Sequence, residues 1–198
     1  RRLALLLGGL AMFGPFSIDT IFPAFNAMGS QLGVDKLAMQ QVISVYLLTY
    51  ALMSLVHGPL SDAFGRRKVI LGGLFVFLLA SIGCALSHSI TDFVAARILQ
   101  GLGGAMMTPV GRLVLLRSID KSALVGAMAW MTVPALIGPV IGPPLGGFIT
   151  TYFSWHWIFL INIPIGLVGI VLAQRYIDPI RSDAPEPFDL YGMVMAGI

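Results

Sequence analysis

Six long apolar runs separated by short polar connectors leave this chain one practical way to fold. They are Leu3–Met28, Met39–Val56, Val69–Ser87, Phe93–Leu116, Leu124–Thr151 and Ile158–Ala173, each near or above the roughly 20 residues that cross hydrocarbon as a helix. Lipid offers no hydrogen-bond partners, so each run must satisfy its own backbone, which predicts an all-α membrane protein. A composition of 57% hydrophobic and 11% charged residues is outside the range of ordinary soluble domains and agrees. A further apolar stretch opens at Leu190, and the chain starts on Arg1 instead of Met. The expectation is a piece of a longer protein: a six-helix bundle over 1–173, a cytoplasmic linker over 174–189 and the start of a truncated seventh span over 190–198.

If the spans alternate, Arg1, Arg2, Arg66, Arg67, Lys68, Arg112, Arg117, Lys121, Arg175 and Arg181 fall on one side, and Lys36 on the other. Cations concentrate on cytoplasmic loops, which places the N-terminus in the cytoplasm. The net charge of +3 is thus a topology signal, and it offers no folded basic surface to nucleic acid. The first apolar run is too long for a cleaved signal peptide. Cys84 is alone in an apolar span, so neither a disulfide framework nor a metal cluster is expected. No nucleophile and base are spaced for catalysis, so the sequence predicts neither an enzyme nor a cofactor.

The compact charged cluster lies between the second and third runs, from Gly58 to Lys68. Gly58 and Pro59 are expected to end a helix, and Gly65 to permit a turn before Arg66, Arg67 and Lys68. Asp62 stands four residues before Arg66, within reach of an ion pair or a helix cap. The order Gly58, Asp62, Gly65 and a basic run resembles the loop joining the second and third helices of the major facilitator superfamily. One departure is Ala63, where that family usually carries a base.

The first span holds Asp19 within an apolar helix, where it must face a wet cavity, pair with a cation, stay protonated or snorkel to the outer interface. Pro23 is expected to kink the helix by freeing the Asp19 carbonyl. The run Asp19–Ala24 resembles the first helix of drug and proton antiporters. In the second span, Tyr46, Thr49, Tyr50, Met53, Ser54 and His57 recur at helical spacing as a polar and aromatic stripe, which either lines a cavity or bonds neighbouring helices. The third span is expected to face lipid and to scaffold the bundle. In the fourth, Arg97, Gln100, Gly101, Gly104 and Thr108 share a face. Arg97 there must either meet a carboxylate, carbonyls or water inside the bundle, or snorkel outward. The pattern Arg97-x-x-Gln100-Gly101 followed by small residues resembles the fourth helix of proton-coupled members.

The fifth span carries Pro134, Pro139, Pro143 and Pro144, with Gly138, Gly142 and Gly146 at every fourth residue and Gly147 beside them. Such a bare ridge lets another backbone come close, and the prolines bend the axis. The run Gly138–Gly147 resembles the fifth-helix motif of antiporters. Ser154–Gly166 and Phe188–Gly192 resemble the sixth helix and the start of the seventh in the 14-span drug and proton antiporter branch, whereas the first helix fits the 12-span branch equally well. Polar and small residues gather in spans one, two, four and five, the pattern of a three-plus-three repeat.

The resemblance implies the N-terminal six-helix half of a major facilitator transporter in a bacterial inner membrane, exchanging protons for small hydrophobic or cationic drugs. Its partners would be the substrate, protons, the bilayer and the C-terminal half of the same chain. Asp19 and Arg97 would couple to protons, and Tyr46, Thr49, Tyr50, Met53 and Gln100 would line the substrate cavity. Gly58, Asp62, Gly65, Arg66 and Arg67 would form a conformational loop, and Gly138, Pro139, Gly142, Pro143, Gly146 and Gly147 a hinge. A metabolite exporter of the same superfamily, and a membrane receptor or assembly module that transports nothing, are the alternatives.

Overall fold

The computed structural model describes residues 2–177, and every element among them is helical. The expected seventh span, the Phe188–Gly192 motif and most of the linker lie outside the described residues. Helices α1 (Arg2–Asp19) and α2 (Phe25–Leu32) form the first span, broken at Thr20–Ala24 around Pro23; α3 (Lys36–Phe64) is the second and α4 (Arg66–Ala85) the third. Helices α5 (Ile90–Gly104) and α6 (Met107–Ser118) form the fourth, α7 (Leu124–Tyr152) the fifth, and α8 (Trp157–Leu160) with α9 (Asn162–Tyr176) the sixth. All six spans are long and apolar enough to cross a membrane.

Local chemistry sets the ends. Gly33 adopts a left-handed φ of 67° that closes α2. The Asp35 carboxylate caps α3 by accepting from the Ala38 amide at 2.8 Å, and Ser89 caps α5 by accepting from the Asp92 amide at 3.1 Å. Gly65, at φ 87°, is the entire turn between α3 and α4; a side chain there would be strained.

Gly58 and Pro59 do not end a helix: α3 runs through both to Phe64. Pro59 removes one intrahelical bond, the one to the Leu55 carbonyl, and no atom outside the helix crowds Gly58. Membrane helices tolerate proline, and this one continues for more than a further turn.

The packing follows the repeat. Span 1 lies along span 5, and span 4 lies along span 2, which are equivalent pairs if residues of the first three spans are mapped on the second three. Spans 1 and 4, which correspond, are both interrupted midway. The third span is a second correction, because only one of its faces is open. Phe75 and Leu79 are exposed, whereas Ile70, Leu74, Phe77, Ser81 and Cys84 are fully buried against α5 and the sixth span. Spans 2 and 5 are the exposed ones: 17% of their most apolar windows is buried, against 56% for span 3. An apolar run reads alike whether lipid or protein covers it, so composition cannot make this distinction.

Two apolar cores result. One joins Leu7, Leu10, Leu74, Phe77, Met107 and Val110; the other joins Ile21, Met28, Met39, Phe93, Trp155 and Phe159. Along the first, third, fourth and sixth spans, a polar residue separates the members of one core from those of the other: Ser17, Ser81, Arg97 with Gln100, and Asn162.

Candidate functional site

That polar layer is built around Arg97, which is 0% exposed; it does not snorkel. Ser89 starts α5 two turns earlier and sets the register that points Arg97 inward. Its Nε donates to the Val42 carbonyl at 3.3 Å, and its Nη1 donates to the Ser17 hydroxyl at 2.9 Å, the Ser17 carbonyl at 3.4 Å and Gln100 Oε1 at 2.5 Å. The guanidinium carbon lies 4.1 Å from the centroid of the Tyr46 ring. In a dry interior such stacking contributes about 2 kcal/mol. Carbonyls, hydroxyls and a π face thus hold a permanent cation, without a carboxylate. Nη2 alone is buried without a partner.

Small residues make this enclosure possible. A Cβ on Gly101 would strike Thr49 Oγ1 and stand 2.6 Å from the Tyr46 carbonyl; on Gly104 it would stand 2.9 Å from Tyr46 Oη. Gly73 and Gly103 cross at similar range where α4 meets α5. The glycines following Gln100 therefore let α5 lie directly on α3 and α4.

The structure does not bring Asp19 to Arg97. Asp19 closes α1 half-exposed, and among the described residues nothing hydrogen-bonds its carboxylate. Its neighbour is the fifth-span ridge: a Cβ on Gly142 would stand 2.8 Å from Asp19 Cβ. On Gly138 it would meet Met12 Cγ at 2.7 Å, and on Gly146 it would collide with the Thr20 carbonyl oxygen. These three glycines are buried, while Pro139 and Pro143 lie exposed on the other face and Gly147 has only Pro23 near it. Helix α7 continues through all four prolines.

The second-span stripe divides. Tyr46 is buried and donates to the Gly14 carbonyl at 3.4 Å, and Tyr50 donates to Thr108 Oγ1 at 3.2 Å. Thr49 and Ser54 instead return to carbonyls of their own helix. Gln100 is enclosed, so its place is in the Arg97 layer and not on an open cavity wall. Met53 lines a lateral apolar groove of about 480 Å³ between α3, α4 and α5, floored by Leu99, Leu102 and Gly103 with Lys68 on its rim. At the α3–α4 turn, Asp62 and Arg66 form the ion pair that their spacing predicts, at 3.3 Å; Arg66 is 3% exposed and Ala63 points outward.

Three residues of the layer escape the sequence reading: Ser17, Ser81 and Asn162. Serines are common in membrane helices and carry no signal alone. Asn162 lies inside the Ser154–Gly166 motif, and a lone amide in an otherwise apolar run is the mark that could have found it.

A sequence profile of the Major Facilitator Superfamily matches residues 5–190. Two proteins called MdtD and named for multidrug resistance are similar over 193 residues, 96% of this chain: one from Yersinia enterocolitica at 40% identity and one from Salmonella newport at 42%. The chain spans 41% of the length of each. Among solved structures, a peptide transporter POT in complex with sulfate superposes with a TM-score of 0.79 at 14% identity, over 98% of this chain and 42% of that one.

Proposed function

This chain belongs to the Major Facilitator Superfamily, and from that premise we propose that it is the N-terminal six-helix half of a bacterial inner-membrane transporter that exports small hydrophobic or cationic drugs in exchange for protons. The observation that carries the reading is the identity to proteins named for multidrug resistance, which extends through every span. The loop cations Arg66, Arg67, Lys68, Arg112 and Arg117 would face the cytoplasm, with the N-terminus.

The geometry supports a division of roles. A charged carboxylate inside a span costs about 2.5–3.5 kcal/mol unless water reaches it. Asp19 lies against the bare ridge of α7 with no partner, so its charged form favours an arrangement that wets this seam, and its protonated form one that closes it. Gain and loss of one proton would then bias the α1–α7 seam, with Gly138, Gly142 and Gly146 as the surface on which it opens and shuts. Arg97 would hold spans 1, 2 and 4 in one arrangement. Tyr46, Thr49, Tyr50 and Met53 would face substrate as that arrangement changes; the tyrosine rings suit lipophilic cations. The Asp62–Arg66 pair would favour the conformation in which the α3–α4 turn is packed.

The full-length protein in proteoliposomes provides the test. A lipophilic cationic dye should move against an imposed pH gradient, with matching proton flow in the opposite direction. Dye movement indifferent to the gradient refutes proton exchange, and absence of dye movement refutes drug export.

A further inference from the structure

The apolar run of span 6 from Ile158 to Ala173 contains a single amide, Asn162, 1% exposed. Its Nδ2 donates to Ser81 Oγ at 3.4 Å, and Gln100 Nε2 donates to the same oxygen at 2.8 Å. Ser81 has one hydroxyl hydrogen, already donated to the Phe77 carbonyl at 2.9 Å. Its oxygen therefore has only lone pairs to offer, and both are filled by the two amides. This fixes Gln100: with its nitrogen toward Ser81, its carbonyl must face Arg97 Nη1. Reversed, it would set donors against the guanidinium and an acceptor against an oxygen that cannot donate. Without Asn162, one lone pair of Ser81 is freed and its hydroxyl can turn, so Ser81 no longer holds the amide and only the guanidinium does.

We propose that Asn162 is a positioning residue: through Ser81 it fixes the amide of Gln100, and through Gln100 it sets how Arg97 presents its guanidinium. Span 6 thereby holds a cation that belongs to span 4. The layer is not saturated, since Asn162 Oδ1 and Arg97 Nη2 are both buried and unpartnered, one acceptor and one donor left over. The place of the Ser81 junction in a transport cycle rests on the antiporter reading; the positioning itself does not.

Cys84 reports on the junction, because its thiol lies 3.9 Å from Gln100 Oε1 and is fully buried. In the purified full-length protein, alkylation of Cys84 by N-ethylmaleimide is followed by mass spectrometry of its peptide. The rate should rise about tenfold in Asn162→Leu and in Gln100→Leu, the order expected for losing one buried hydrogen bond. It should rise equally in Ser81→Ala, which is nearly isosteric and guards against a variant that fails to fold. The double variant Asn162→Leu/Gln100→Leu should react no faster than Gln100→Leu alone, since both remove one link, whereas general loosening would multiply the rates. Wild-type rates in Asn162→Leu and Ser81→Ala, or multiplied rates in the double variant, overturn the proposal. In proteoliposomes the same variants should lose turnover with the KM for dye held within about twofold. A wild-type protein that exchanges no dye for protons refutes the antiporter reading, and the alkylation rates still decide the positioning.

Discussion

Asp19 and Arg97 both lie within membrane spans, and their surroundings are opposite. Arg97 is enclosed by spans 1, 2 and 4, with four hydrogen bonds and a tyrosine face. Asp19 is half-exposed at a helix break, with no hydrogen-bond partner among the described residues, against glycines that let α7 come close to it. A buried charge held by several partners is a fixed part of the architecture, because removing either side strands the other. A charge that lacks partners is free to change state. In the proposed proton switch, Arg97 would be the fixture and Asp19 the moving part.

The contrast breaks most readily at Arg97. Arg97→Lys keeps the charge but cannot reach Val42, Ser17 and Gln100 together, and it should lower stability by about 3–5 kcal/mol; thermal unfolding of the full-length protein in detergent measures this, and an unchanged midpoint would show that the guanidinium geometry is dispensable. Gly146→Leu forces a side chain into the Thr20 carbonyl and should cost about 1–3 kcal/mol with loss of transport, while Gly147→Leu, with only Pro23 nearby, should be close to neutral. Equal effects at the two positions would refute the ridge. Asp19→Asn sharpens the comparison by its small size: stability should shift by less than about 0.5 kcal/mol, because no contact is lost. If the carboxylate carries the proton, pH-driven efflux should nevertheless disappear, and wild-type pH dependence in this variant would place the proton elsewhere.

The six spans, the Asp62–Arg66 pair, the glycine ridge and the inward face of span 4 were legible in the sequence, because each depends on periodicity or on spacing along one helix. What was not legible depends on which helix lies beside which. Span 3 reads as lipid-facing because Phe77 and Phe75 are equally apolar, though one is buried and the other open. Gly58 and Pro59 read as a helix end because both residues usually break helices, whereas a membrane helix can carry them inside its length. Ser81 and Asn162 acquire meaning only when spans 3, 4 and 6 meet around a single oxygen. The sequence leaves open whether Asp19 meets a cation and whether Arg97 meets a carboxylate, carbonyls or water, and the structure gives Arg97 carbonyls, a hydroxyl and an amide.

The single-residue turn at Gly65 also constrains how the bundle is assembled. Helices α3 and α4 follow one another in the chain with nothing but Gly65 between them, yet α5 is wedged between them, its Leu99, Leu102 and Gly103 forming the floor of the lateral groove. Synthesis delivers α3 and α4 as a ready hairpin before α5 exists. That hairpin cannot zip shut in its final place; it must stay splayed, or reopen, until the fourth span slides in. The turn at Gly65 would then serve as a hinge of biogenesis, and a side chain that stiffened it would first be felt as slow or faulty maturation, in a protein whose finished helices were all of normal length.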